Sequence, residues 1–191
     1  MFVFSRQKRR EREIARRLYD QVVGQARSPS FYVDGGVPDT VDGRFEMVVL
    51  HAYLVIGRLM AGEDAAQRIA QYLFDTMITD MDRSLREMGI GDLSVGRKVK
   101  AMAEAYYGRS RAYDSALATS DADLSSALRR NVFGTIPSES ETKNAVVDGM
   151  TRYVTATLRR LREQPVEAIA DGRVRFVDYS LISSDSERFH R

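Results

Sequence analysis

Residues 64–88 read DAAQRIAQYLFDTMITDMDRSLREM, and their hydrophobic pattern decides the class of fold. Large apolar side chains recur every three or four residues, a spacing that places them on one side of an α-helix. This stripe consists of Ile69, Leu73, Met77, Met81, Leu85 and Met88. Gly89 follows directly and is a suitable C-terminal cap. The stretch therefore predicts a long amphipathic helix with one face packed against its neighbours.

Helical periodicity continues on both sides of this stretch. A helix is predicted over residues 6–26, where every fourth residue from Ile14 to Ala26 is apolar. Residues 44–60 are apolar nearly all round, which predicts a buried central helix. Downstream, we predict three more helices, over residues 94–117, 121–133 and 139–163. Gly108 is expected to bend or interrupt the first of them. Ser138 begins a capping box for the last.

The chain is therefore predicted to be all-α: a single helical domain of about six to seven helices with a short extended C-terminal tail. Its 191 residues suit one domain. We expect residues 1–27 to form a basic helix packed on, or leading into, a helical domain at residues 28–165. Residues 166–191 are expected to form the tail, because their apolar residues alternate only weakly.

The charge is divided unevenly along the chain. The net charge is +2, but residues 1–27 carry eight basic and three acidic side chains, a net +5 that leaves −3 for the remainder. A mildly acidic body argues against a domain that binds DNA. The basic helix has three interpretations: attachment to an anionic membrane surface, contact with ribosomal RNA, or a solvated helix face.

Composition excludes several kinds of chemistry. The chain has no cysteine and only two histidines, which excludes disulfides, thiolate metal sites and cysteine nucleophiles. We therefore predict no metal, no cofactor and no enzymatic activity. The longest strongly apolar run, residues 47–57, is far shorter than the ~20 residues that span a bilayer, so no transmembrane helix is expected. His51 within that run is either a hydrogen-bonded core histidine or a catalytic or ligating group.

Asp80 lies on the same helical arc as the apolar stripe, where an unpaired carboxylate would be costly. Two interpretations follow. The carboxylate takes part in an ion pair between helices, or this face is an exposed binding surface that mixes apolar and charged groups. The eight methionines and the tyrosines near residue 106 leave a similar choice between ordinary core and an adaptable hydrophobic groove.

Several strings of the sequence carry a family resemblance. They are Phe31-Tyr32, Gly36-Val-Pro-Asp-Thr40, Asp42-Gly-Arg-Phe-Glu46, Leu50-His51, Lys98-Val-Lys-Ala-Met102 and Tyr106-Tyr-Gly-Arg109. The longest is residues 80–96, DMDRSLREMGIGDLSVG. Together they resemble the ubiquinol–cytochrome c chaperone family, and the resemblance covers about residues 18–161.

This resemblance implies an all-helical, non-enzymatic chaperone for assembly of the cytochrome bc1 complex, which binds newly synthesised cytochrome b. Mitochondrial members of the family are expected to act with a small partner protein near the ribosomal exit tunnel. Because the chain shows no long organelle-targeting extension, we expect a bacterial member. Such a protein would be cytoplasmic and peripheral to the cytoplasmic face of the inner membrane, with its basic first helix near the ribosome or the anionic membrane surface.

The resemblance and the charge pattern together indicate a partner-binding surface on the helix–turn–helix unit that contains residues 80–96. The residues predicted to form it are Asp80, Asp82, Arg83, Arg86, Glu87, Asp92, Lys98, Tyr106, Tyr107 and Arg109. Burial of apolar segments plus charge matching would hold the unfinished partner. The competing hypothesis is a lipid- or quinone-binding helical module at the inner membrane surface, with methionines and tyrosines lining a cavity.

Overall fold

The computed structural model describes residues 2–136 and 141–182, and within these ranges it contains eight α-helices and no strand. They are α1 (Phe2–Ala26), α2 (Pro29–Val33), α3 (Val41–Met60), α4 (Asp64–Glu87), α5 (Asp92–Thr119), α6 (Asp121–Asn131), α7 (Glu141–Glu163) and α8 (Val166–Ala170). The all-α prediction is confirmed. The capping box predicted at Ser138 lies outside the described residues.

The helix count exceeds the predicted six to seven because α2 and α8 are each only five residues long. A single helical turn is too short for a 3.6-residue periodicity to show in the sequence. Both follow local signals instead, since Pro29 opens α2 and Pro165 caps α8. The bend expected at Gly108 is wrong: α5 continues through it, because one interior glycine costs only about 1 kcal/mol.

The core is built around α3, which packs against α1, α4 and α7. Met47, Leu50 and Leu54 of α3 are fully buried, as the nearly uniform apolar character of this helix requires. The stripe on α4 is confirmed from Ile69 to Leu85, all of whose members are buried. Only Met88, at the end of that stripe, is exposed.

His51 is a hydrogen-bonded core histidine, which was the first of the two interpretations of the sequence. Its Nδ1 lies 2.7 Å from the carbonyl oxygen of Met47, and its Nε2 lies 2.8 Å from the hydroxyl of Tyr153. A neutral ring that donates from Nδ1 and accepts at Nε2 satisfies both contacts. Burial lowers the pKa of His51 to about 4, so the ring stays uncharged at neutral pH.

The segment after α7 returns along the first helix. Ile169 and Tyr179 are buried, and residues 173–178 between them have an extended path without regular secondary structure. Two side-chain amides of α1 hold this segment in place. Gln21 donates to the backbone carbonyl of Gly172 at 2.9 Å, and Gln25 donates to that of Val177 at 3.0 Å. Within the described ranges, none of the helices combines the length and apolar character needed to cross a bilayer.

Candidate functional site

The sequence block that resembles the family forms a helical hairpin. We define the signature hairpin as residues 80–105, which comprise the last turns of α4, the connection, and the first half of α5. The connection turns at Gly89, whose φ of 80° is a left-handed conformation that favours glycine. The amide of Ile90 then donates to the carbonyl of Leu85 at 3.0 Å. The left-handed turn at Gly89 and this hydrogen bond set the direction in which α5 leaves α4.

The signature hairpin has little core of its own. Beyond Met81, its buried side chains are Leu85 and Val95, and neither belongs to the main hydrophobic cluster. Leu93 at its tip is fully exposed, and Met88 beside it is about half exposed. Large apolar side chains that stay in solvent beside a charged cluster are a feature of surfaces that bind other proteins.

Six of the predicted site residues form two neighbouring ion-pair groups on this hairpin. Arg86 is central: its Nε donates to Asp82 at 2.7 Å, and a second nitrogen donates to Asp92 across the turn. The hydrogen bond to Asp82, followed by its charge and the contact with Asp92, raises the pKa of Arg86. The remaining three form a second group along α4, Asp80, Arg83 and Glu87.

Asp80 corrects one of the two interpretations of the sequence: among the described residues it forms no ion pair between helices, and the binding-surface interpretation stays a prediction. Its carboxylate pairs with Arg83 within α4 and accepts a hydrogen bond of 2.8 Å from the hydroxyl of Tyr19 on α1. The link between helices is therefore a hydrogen bond, and the ion pair lies within one helix. Burial and the adjacent carboxylate raise the pKa of Tyr19, which stays a neutral donor. The charged groups around this contact remain exposed.

The other four predicted residues lie along α5, where Tyr106 and Tyr107 pack against each other but Lys98 and Arg109 do not join them. Lys98 is exposed, with no acidic partner among the residues that the structure describes. Tyr106 is buried, whereas Tyr107 is about half exposed. Arg109 turns away from the hairpin and forms an ion pair with Glu46 of α3, where the two side chains are only 23% and 9% exposed. Burial raises the pKa of Glu46, against the lowering effect of that guanidinium.

An aromatic groove of about 480 Å³ lies where α3, α4 and α5 meet, close to the tyrosines for which the sequence left a hydrophobic groove open. Phe74 of α4 packs against Tyr106 and Tyr107 with ring centroids 5.0 and 5.2 Å apart. Tyr53 of α3 donates a hydrogen bond of 2.7 Å to Asp114 of α5 at the same groove. The adjacent tyrosines of α5 were the one signal available in the sequence, because the other walls come from distant segments.

The first helix presents a basic surface that is stronger than its sequence suggests. Glu11, one of its three acidic residues, is buried and paired with Arg68 of α4 through contacts of 2.7 to 3.2 Å. That bond lowers the pKa of Glu11, so the carboxylate stays ionised and its negative charge is neutralised by Arg68 within the fold. The exposed basic residues of the helix are Arg6, Lys8, Arg9, Arg10, Arg12, Arg16 and Arg17, and exposed Arg27 follows directly after it.

A second groove, of about 530 Å³, separates α1 from α4. Arg12 and Arg16 line one side, and Asp80 and Arg83 of the signature hairpin line the other. Side chains of the basic helix and of the hairpin therefore line the same groove. In the described part of the chain, no group of three histidine or acidic side chains is placed to hold a metal ion.

Comparison with known proteins gives a consistent result. Residues 33–176 match the model of the family described as ubiquinol-cytochrome C chaperone. The crystal structure of the Cbp3 homolog from Brucella abortus superposes with a TM-score of 0.80 at 35% identity, over 93% of this chain and 96% of that one.

Two curated relatives are more distant. The ubiquinol-cytochrome-c reductase complex assembly factor 1 of Xenopus laevis is 25% identical over 118 residues, which are 62% of this chain and 59% of that protein. The mitochondrial protein CBP3 of Saccharomyces cerevisiae is 27% identical over 150 residues, 77% of this chain and 44% of that protein. The chain thus spans about half the length of the curated relatives it matches.

Proposed function

Because the chain belongs to the ubiquinol-cytochrome C chaperone family, we propose that it is a chaperone for assembly of the ubiquinol–cytochrome c reductase (cytochrome bc1) complex. The names of the frog and yeast relatives support this role in part, since the frog protein is called an assembly factor of that complex. The supporting structural observation is that the family's most characteristic stretch forms an exposed, charged hairpin with little core of its own.

Newly synthesised cytochrome b is the partner we propose for this hairpin. An unfinished membrane protein presents apolar helices and charged connecting loops, both of which need shielding before assembly. Leu93 and Met88 offer apolar contact at the tip, while Arg86 holds Asp82 and Asp92 in one arrangement before any partner arrives. Preformed charge pairs reduce the ordering cost of binding, and their pattern selects among partners.

The ten predicted residues have unequal parts in this proposal. Asp82, Arg86, Glu87, Asp92 and Lys98 are exposed or partly exposed on the hairpin and are available for direct contact. Asp80, Tyr106 and Arg109 hold neighbouring elements in place through the contacts described above. Since the chain acts by binding, it is proposed to need no catalytic residue and no cofactor.

The basic face of α1 is proposed to keep the chaperone where cytochrome b is made. Its exposed arginines suit an anionic surface, either the ribosome or the headgroups of a membrane. In that arrangement the protein is peripheral to the cytoplasmic face of a bacterial inner membrane. Arg12 and Arg16 of α1 line one groove with Asp80 and Arg83, which supports a hairpin held near this anionic surface and near an emerging chain.

Capture of nascent cytochrome b by the full-length protein tests the proposal. Asp82→Arg, Arg86→Glu and Lys98→Glu each reverse one charge of the hairpin, and each should reduce the amount of cytochrome b recovered. Arg159→Glu is the matched control, because Arg159 is an exposed helical arginine on α7, far along the chain from the hairpin. Undiminished recovery with all three hairpin variants would refute the proposed surface. Unchanged bc1 content in cells lacking the chain would refute the assembly role.

A further inference from the structure

The groove between α3, α4 and α5 has two chemically different ends. One end is aromatic and carries a carboxylate, and the other is aliphatic. The aromatic end contains Phe74, Tyr106 and Tyr107, whose mutual ring-centroid distances are 5.0 to 5.6 Å. Tyr107 is about half exposed, so one ring of this cluster is open to a ligand. The two ends together predict a ligand that is itself divided in polarity.

The carboxylate at the aromatic end is Asp114. One of its oxygens accepts the 2.7 Å hydrogen bond from Tyr53, which orients it, and burial followed by this contact raises the pKa of Tyr53. No basic side chain of the described residues forms an ion pair with Asp114. The nearest guanidinium along α5, that of Arg111, instead donates to the carbonyl of Tyr107 at 3.4 Å.

An oriented carboxylate beside aromatic rings is suited to a cationic side chain. The faces of tyrosine and phenylalanine rings attract ammonium and guanidinium groups, and a carboxylate adds a charged acceptor. The adjoining depression is lined by Glu104 and Arg111 as well as by Tyr107 and Asp114. Glu104 is paired with Lys100, so Asp114 is the carboxylate left for a cation on this side. The aromatic end therefore favours an arginine or lysine of a partner.

The aliphatic end is suited to apolar side chains. Ile56 and Met60 of α3 and Ala70 of α4 line this end, and Gly57 contributes no side chain to the lining. Met60 is about half exposed, and its unbranched thioether adapts to differently shaped neighbours. This end could therefore take aliphatic residues of more than one size.

We propose that the groove receives the end of an apolar helix where its basic flanking residues begin. Transmembrane helices carry an excess of lysine and arginine at their cytoplasmic ends, so this occupant matches both ends of the groove. The inference rests on the proposed function, which supplies a nascent membrane protein as the partner. Asp114 binds the flanking cation, the rings pack on its stem, and Met60 with Ile56 contacts the first apolar turn.

The test uses the purified full-length protein and a synthetic leucine–alanine helix with a pair of arginines at one end. Fluorescence anisotropy compares it with the same helix carrying glutamates. Asp114→Asn keeps the acceptor for Tyr53 but removes the charge, and should weaken binding of the arginine peptide about tenfold. Tyr107→Ala should weaken it about fivefold. Asp121→Asn removes an equal charge from the exposed first turn of α6 and should leave binding unchanged.

Equal binding of the arginine and glutamate peptides, or full binding by Asp114→Asn, would overturn the inference. So would a phospholipid or quinone that co-purifies in stoichiometric amount and that the arginine peptide does not displace. Failure here is distinguishable from failure of the proposed function. The peptide assay reads only the groove, whereas capture of cytochrome b by the hairpin variants reads the chaperone role.

Discussion

Helix α3 and helix α5 lie side by side but are built differently. Eleven of the 20 residues of α3 are buried, against four of the 28 residues of α5. The polar groups of α3 are satisfied inside the fold, as His51 and Glu46 show. The first half of α5 instead presents the charged side chain of Lys98 and the bare side chain of Leu93 to solvent. The contrast indicates that α3 holds the fold together, while the first half of α5 contributes little to the core.

The largest difference between the two regions should appear when one leucine is truncated in each. Leu50 of α3 is fully buried, and Leu50→Ala should lower the free energy of unfolding by about 3 to 4 kcal/mol. Leu93→Ala should leave it within about 0.5 kcal/mol of the wild type, since Leu93 is exposed. Urea unfolding measures both. A comparable loss for Leu93→Ala would show that the hairpin tip is part of the core.

Ion pairs give the next comparison. Arg109→Ala leaves the carboxylate of Glu46 buried without its partner, and should cost about 2 to 3 kcal/mol of unfolding free energy. Arg86→Ala breaks pairs of similar geometry on the exposed hairpin, where water replaces the lost partner. We expect no change in its urea midpoint. Thermal and urea unfolding of the two variants test this, and equal losses would contradict the assigned difference in burial.

Acid should destabilise the core through His51. Its pKa in the folded protein is about 4, below the 6.5 of an exposed histidine, so the unfolded chain binds the proton more readily as the pH falls between these values. The stability due to the neutral ring is complete above about pH 6.5 and is lost progressively toward pH 4. We expect about 2 kcal/mol of loss between pH 7 and pH 5. His51→Gln should lack this component of the pH dependence, and an unchanged profile would refute it.

The smallest effects should come from two glycines. Gly89, at the hairpin turn, has a φ of 80°, so Gly89→Ala should cost about 1 kcal/mol through backbone strain alone. Gly108 lies within α5, where an added Cβ meets no atom within 4 Å, and Gly108→Ala should gain about 0.5 to 1 kcal/mol. Thermal unfolding measures both. Shifts of the same sign would contradict the left-handed turn at Gly89.

The sequence predicted the long helices well because their signal is local. The stripe on α4 and the uniform apolar character of α3 depend only on residues three or four apart, so both helices were found close to their observed ends. The one-turn helices α2 and α8 were missed because five residues carry no periodicity. The break expected at Gly108 failed because propensity at one residue is outweighed by the turns on either side.

The candidate site shows the same division: contacts between neighbours in sequence were predicted, and contacts between distant segments were not. Asp80, Asp82, Arg83, Arg86, Glu87 and Asp92 form two ion-pair groups, since neighbours on one helix and its turn meet wherever the helix lies. Their role in binding a partner stays a prediction. Arg109 was placed with them but contacts Glu46, which is 63 residues away along the chain. The sequence left a groove near the tyrosines of α5 open but did not identify its other walls, because the bond between Tyr53 and Asp114 also joins positions far apart in sequence.

The sequence by itself thus determined the helices, the family resemblance and the charged hairpin, all of which depend on neighbours within a few turns. Tertiary structure alone decided that Glu11 faces Arg68 and leaves α1 more basic, and that three helices enclose a groove with Asp114 at one end. Such features depend on the distances and angles between helices. Those are set by the packing of the whole core, which no single stretch of sequence specifies.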